Sequence, residues 1–223
     1  MSVQILTDPK YKTPDLTINI PTIEKIINKK IFGVIHIGAN YGEETNLYRI
    51  NNIKNIIWVE PLKSGFDQLK VLNEIYGDKI FNCAISDFDG ESEMFSVHNV
   101  VSSSLRQVAK HNLMCPLYVI DKPKVAVKKL DTLIDENNID INNYNMLNID
   151  TQGTEDLVLK GCQKYLSKFD VLYIEVNDKD VYDGTPDKNE VTKTIIKNNF
   201  SLVESVKVNA LQYENVYVRS DLI

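Results

Sequence analysis

The segment FSLVESVKVNALQYENVYVR, residues 200–219, separates two kinds of α/β architecture. Residues 200–208 and 215–219 both read as strands, rich in β-branched and aromatic side chains. Only the six residues NALQYE lie between them, and a parallel crossover needs a dozen or more, so the two strands must pair antiparallel as a hairpin. Dinucleotide-binding sheets are instead built from repeated right-handed parallel crossovers. The hairpin therefore predicts a mainly parallel sheet with an antiparallel C-terminal edge.

Upstream of it, apolar runs alternate with helical periodicity, which predicts helices on both faces of that sheet. Residues 22–30 read as a short amphipathic helix, and residues 32–37 as a strand that stops at Gly38 before a helix near Gly42. A second buried strand covers 55–59. Residues 64–76 place Phe66, Leu69, Leu72 and Ile75 at helical spacing, and residues 79–85 read as the third strand. The turn residues Asp87 to Gly90 then break the pattern, 92–97 reads as an extra strand, and 100–124 has no sustained period. About 90–124 is thus an excursion on the substrate side of the sheet, and residues 1–30 form an N-terminal helical extension. Regularity resumes with a strand over 125–130, a helix capped by Asp131, a strand over 144–149, a long helix over 153–169, a strand over 171–176 and a helix over 187–199. A seven-stranded, Rossmann-like sheet closed by a terminal hairpin is typical of class I S-adenosylmethionine (SAM) methyltransferases. Methyl transfer is expected over hydride transfer.

Bulk properties restrict the partners. The 223 residues suffice for one α/β core, so a single domain over 1–223 is expected. A formal net charge of -6 repels a polyanion, which makes nucleic acid a poor partner. Cys83, Cys115 and Cys162 are odd in number and widely spaced, which fits neither a disulfide framework nor a zinc site. The N-terminus has no apolar run behind a basic start, and no stretch of about 18 apolar residues occurs. A cytoplasmic protein with a small-molecule or carbohydrate acceptor and no membrane partner is expected; oligomerisation is left open.

Cofactors in open α/β sheets sit beyond the carboxyl ends of the strands. There the first strand gives Gly38-Ala39-Asn40-Tyr41-Gly42, a G-x-x-x-G turn rather than the G-x-G-x-x-G of dinucleotide sites. Glu60 ends the second strand about 20 residues further on, where a carboxylate accepts hydrogen bonds from ribose hydroxyls. The third strand ends with Cys83, Ala84, Ile85, Ser86 and Asp87, whose backbone and small polar groups border a place for adenine. The candidate cofactor residues are His36, Gly38, Ala39, Asn40, Gly42, Glu60, Ala84, Ser86 and Asp150.

At these residues the chain resembles the FkbM-type methyltransferases, over about residues 34–217. The resemblance is carried by VIHIGANYGEE at 34–44, IIWVEP at 56–61, LDTLIDE at 130–136, MLNIDTQGTEDLVLKG at 146–161 and LYIEVN at 172–177. It implies SAM as cofactor and O-methylation of a sugar, nucleotide-sugar or glycan hydroxyl. His36 stands where the family usually has an acid, and N-I-D-T-Q-G-T-E replaces K-x-D-x-E-G-x-E. His36 and Gln152 are similar to a subgroup with H-I-G-A and D-x-Q-G-x-E, which also shows a serine run, a later histidine and E-V-N.

The reacting end must hold the nucleophile about 3 Å from the methyl carbon and take a proton from a hydroxyl acceptor. His111, Asp150 and Glu175 are the catalytic candidates, with His111 on the polar excursion as general base. Ser102, Ser103, Ser104, Gln152, Glu155, Asn177 and Tyr182 are the candidate acceptor contacts. Glu155 also has a plain reading as a helix-terminal carboxylate that balances the dipole. Asp150 and Glu175 have oxygen ligands for a divalent cation, but no spacing compels a metal and none is expected. Three other readings compete: an RNA or cap 2′-O-methyltransferase, which calls for a basic surface; a non-catalytic SAM-fold binding protein, which need not keep Asp150, Glu175 and His111; and an NAD-dependent oxidoreductase, disfavoured by the glycine spacing and the hairpin.

Overall fold

A computed structural model describes residues 19–109, 117–177 and 181–223. Helix α1 (Ile20–Ile27) starts where the Asn19 side chain accepts from the Thr22 N–H at 2.9 Å, and ends at Asn28 in the left-handed region. Its stripe of Ile20, Ile23 and Ile27 is buried. There follow β1 (Gly33–Ile37), α2 (Thr45–Ile50), β2 (Asn55–Val59), α3 (Lys63–Tyr76) and β3 (Lys79–Phe81). The excursion carries β4 (Ala84–Ile85), β5 (Gly90–Glu93), β6 (Ser96–Val97), β7 (Val119–Asp121) and β8 (Lys124–Lys128). Helix α4 (Leu130–Glu136), β9 (Met146–Ile149), α5 (Glu155–Lys160), β10 (Val171–Asn177), α6 (Lys188–Lys197), β11 (Phe200–Lys207) and β12 (Gln212–Arg219) complete the chain.

The main sheet has seven strands in the order β11-β12-β10-β9-β1-β2-β3. Strands β3, β2, β1, β9 and β10 run parallel, whereas β12 pairs antiparallel with both β10 and β11. This is the class I SAM methyltransferase fold. Strand alternation sends Ile35, Ile37, Leu147 and Ile149 to one face, against Leu133, Val158 and Ile195 of α4, α5 and α6. It sends Val34, Trp58, Met146 and Tyr173 to the other, against Ile23, Tyr48 and Leu69 of α1, α2 and α3. Both faces of the central strands are covered, so these strands read as continuous apolar runs. Among the described residues, no helix is long and apolar enough to cross a membrane.

Four local expectations are corrected. Residues 79–85 are not one strand: the Asn82 side chain donates to the carbonyls of Glu60 and Pro61 at 2.8 and 3.0 Å, and β4 leaves for a separate sheet ordered β4-β8-β5. The run over 125–130 accordingly belongs to that accessory sheet. The helix over 153–169 stops at Gly161, which packs so closely on the Ser86 carbonyl that a Cβ would stand 2.0 Å from its oxygen. Lys129, not Asp131, is the N-cap of α4; the Asp131 carboxylate instead accepts from the Lys164 N–H at 2.9 Å.

Candidate functional site

The site lies at the carboxyl ends of β1, β2 and β9. Gly38 follows β1 at φ +80°, and a Cβ there would stand 1.7 Å from the Asp150 carbonyl oxygen, so β1 and β9 can end this close together only with glycine. The N–H groups of Gly38 and Ala39 both donate to the Val59 carbonyl, at 3.0 and 3.1 Å, which ties the turn to the end of β2. Glu60 comes next on β2, is 5% exposed, and accepts from the Asn40 N–H at 2.9 Å and the Leu62 N–H at 2.7 Å. Burial pushes its carboxyl up to about 7 against the pull of those two donors.

A cleft lies between these residues and the excursion. Gly38, Asn40, Glu60, Ala84, Ser103, Asp150 and Gln152 of the expected residues line it. Cys83 lines it too, and Leu62, Met94, Val100, Val101 and Leu105 supply an apolar wall that sequence reasoning did not assign to contacts. The isolated antiparallel bridge between Phe95 and Ser104 sets Met94 and Leu105 beside each other, and so short a pairing leaves no periodic signal.

A polar cluster beside the cleft is organised around Gln152, which sits in the left-handed region at φ 56°. Its Nε2 donates to Asp150 Oδ1 at 2.6 Å and to Glu175 Oε1 at 2.7 Å, and its Oε1 accepts from the Tyr182 hydroxyl at 2.9 Å. One amide thus joins the ends of β9 and β10, and its nitrogen fills the gap between the two carboxylates. Burial pushes Asp150 up to about 7, with the nearby Glu155 adding to the rise. Burial and the Asp150 charge raise Glu175 as well. Gln212 Nε2 also donates to Glu175 Oε1, at 3.0 Å.

The remaining expected residues lie elsewhere. The ring of His36 is buried on the α1, α2 and α3 side of the sheet, 5.3 Å from Trp58 between centroids, with Nδ1 3.2 Å from the Tyr48 hydroxyl. Burial lowers its pKa to about 3 and raises that of Glu44, 3.7 Å away, to about 8, so the two meet as neutral groups. Ala39 packs in the core and Gly42 against Leu69 and Leu72. Ser86 is buried beneath the cleft, its N–H bonded to the Lys128 carbonyl at 2.9 Å. The Ser102 carbonyl accepts from Tyr182 at 3.0 Å, and Ser104 Oγ accepts from the Arg106 N–H at 3.0 Å. Glu155 Oε1 accepts from the N–H groups of Gly153 and Thr151, at 2.9 and 3.3 Å, which is its plain reading at a helix start. Asn177 is buried at the end of β10. His111 lies outside the described residues.

A search among curated proteins found no match. Among solved structures, the chain is similar to the Burkholderia thailandensis 1,6-didemethyltoxoflavin-N1-methyltransferase with bound 1,6-didemethyltoxoflavin and S-adenosylhomocysteine (12% identity, 98% of this chain and 82% of that one, TM-score 0.49). It is also similar to M. capricolum TrmK in complex with S-adenosylhomocysteine (12%, 90% and 68%, TM-score 0.48). A third likeness is to magnesium protoporphyrin IX methyltransferase from Synechocystis PCC 6803 with bound SAM (10%, 90% and 79%, TM-score 0.48). The family described as the methyltransferase FkbM domain matches residues 36–202, a span that holds the glycine turn, Glu60, Asp150, Gln152 and Glu175. The chain belongs to the FkbM methyltransferase domain family and is a SAM-dependent methyltransferase.

Proposed function

We propose that the protein methylates a hydroxyl group of a sugar or glycan, with Asp150 as the proton acceptor. The observation that carries this reading is the placement of Asp150 on the cleft wall between the glycine turn and Gln152, with its carboxyl pushed up to about 7. A base is most effective when its pKa lies near the working pH, and a sugar hydroxyl needs one.

The residues present fit SAM. Each Glu60 oxygen takes one backbone N–H and keeps lone-pair capacity for ribose hydroxyls. The bare backbone at Gly38 and Asn40 suits the amino-acid part, and Leu62, Ala84 and Met94 offer apolar walls for a flat ring. When bound, SAM supplies an electrophilic methyl group on a sulfonium. Asp150 would receive the proton of the acceptor hydroxyl, and Gln152 holds Asp150 in place through its amide.

The test is incubation with isotopically labelled SAM and a panel of sugars, glycosides and nucleotide-sugars, read by product mass and fragmentation. A gain of one methylene on a sugar oxygen is expected. Transfer to nitrogen alone, or calorimetry that finds no SAM binding, overturns the reading.

A further inference from the structure

The wall formed by β10 and β12 carries a polar patch that the donor site leaves unused. In their antiparallel register Glu175 stands opposite Glu214 and Asn177 opposite Gln212. Alternation places these four side chains on one face of the strand pair. Glu175 is tied to the cleft-lining Gln152 at 2.7 Å, and Asn177 lies two residues further along β10, toward the carboxyl edge.

Asn177 is 2% exposed, yet neither its Nδ2 nor its Oδ1 has a hydrogen-bond partner among the described residues. A buried polar group left unsatisfied costs about 1–3 kcal/mol, so native proteins rarely keep one without a use for it. A free carboxamide offers one donor edge and one acceptor edge side by side, the complement of two adjacent hydroxyls. The ionisable groups that interact here are acids. Asp150, Glu155, Glu175 and Glu214 act on one another through space. Arg106 is engaged by the Gly153 carbonyl and by Asp156 at 2.8 Å.

The geometry points to Asn177, with Gln212, Glu175 and Glu214, as the seat of the acceptor, built for a neutral or ammonium-bearing polyol in preference to a phosphorylated, sulfated or carboxylated one. Carboxyl groups and amides supply hydrogen-bond acceptors to hydroxyl or ammonium donors, whereas an anionic group meets this cluster of acids. This assignment rests on the methyltransferase reading, and its test separates the two. Calorimetry with S-adenosylhomocysteine reports the donor site alone. Saturation-transfer NMR on that complex then compares methyl glucoside, glucosamine, glucuronate, glucose 6-phosphate and UDP-N-acetylglucosamine.

The neutral and amino sugars should bind, and the anionic ones at least about tenfold more weakly. N177L should abolish the sugar signal, keep S-adenosylhomocysteine affinity within about twofold, and raise the melting temperature by ~2–4 °C, because an unsatisfied buried amide has been removed. E214Q should narrow the gap between neutral and anionic probes. Either retained sugar binding or a lowered melting temperature in N177L overturns the assignment, the latter because it makes the amide a structural one. An anionic probe that binds as tightly as its neutral counterpart overturns it, and so does a panel in which no neutral or amino sugar binds. Failure to bind S-adenosylhomocysteine removes instead the methyltransferase reading beneath it.

Discussion

Glu60 combines two properties that are separable by measurement: its oxygens are fixed by backbone donors, and its carboxyl is raised to about 7. Ribose hydroxyls donate more strongly to the ionised form, so cofactor binding should pull that pKa down and release a proton below it. Calorimetry of S-adenosylhomocysteine in buffers of different ionisation enthalpy should show this release between pH 6 and 7, with affinity falling as pH drops through 7. Glu60→Ala should weaken binding by about 10–100-fold, the worth of hydrogen bonds to a charged group, and should lose the proton release. At the reacting end, Asp150→Asn should lower turnover by about 10² or more while leaving S-adenosylhomocysteine affinity within a few-fold. The same loss in His111→Ala, rescued at high pH, together with an active Asp150→Asn, would instead make His111 the base.

At the scale of elements, Gly161 limits α5 and seats it against the strand that borders the cleft. Gly161→Ala forces a methyl group onto the Ser86 carbonyl, so urea unfolding should show a loss of about 1–3 kcal/mol, the usual cost of overpacking. Unchanged stability would mean that α5 slides freely there. The same contact shows where sequence reading ends. The hairpin was legible because six residues cannot span a crossover, and the glycine turn and Glu60 because each follows directly on a strand. The early stop of α5 was not, since the carbonyl that Gly161 meets belongs to a residue 75 positions away. The break after Phe81 likewise depends on Asn82 reaching back to Glu60 and Pro61, a tertiary bond without local signature. His36 was legible as part of an alternating strand, but its Tyr48 and Trp58 neighbours come from other elements. The Glu175 and Glu214 pairing was hidden for a related reason: the turn fixes the hairpin's own register, not which of its strands docks on β10.

Across the whole molecule, buried carboxyls set the response to pH. Glu44 is raised to about 8 and Glu60 and Asp150 to about 7, so each contributes stability that is fully present below its unfolded value and lost as pH rises through the folded one. His36, lowered to about 3, acts oppositely: stability is lost as pH falls from about 6.5 toward that value. Three carboxyls outweigh one imidazole between pH 5 and 8, so calorimetric melting of the free protein should occur at a higher temperature near pH 5 than at pH 8. A melting temperature that climbs over this interval would show that these carboxyls ionise in the fold without penalty. The sheet order has another consequence at this scale. Strand β12 is made after both its neighbours but lies inside the sheet, between β10 and β11. A chain still being synthesised leaves the β10 edge bare, with Glu175 and Asn177 on it, until the hairpin has cleared the ribosome and docked. An interrupted product that ends before residue 212 is therefore no shortened enzyme but an open-edged sheet, exposed to adhesion and to quality control.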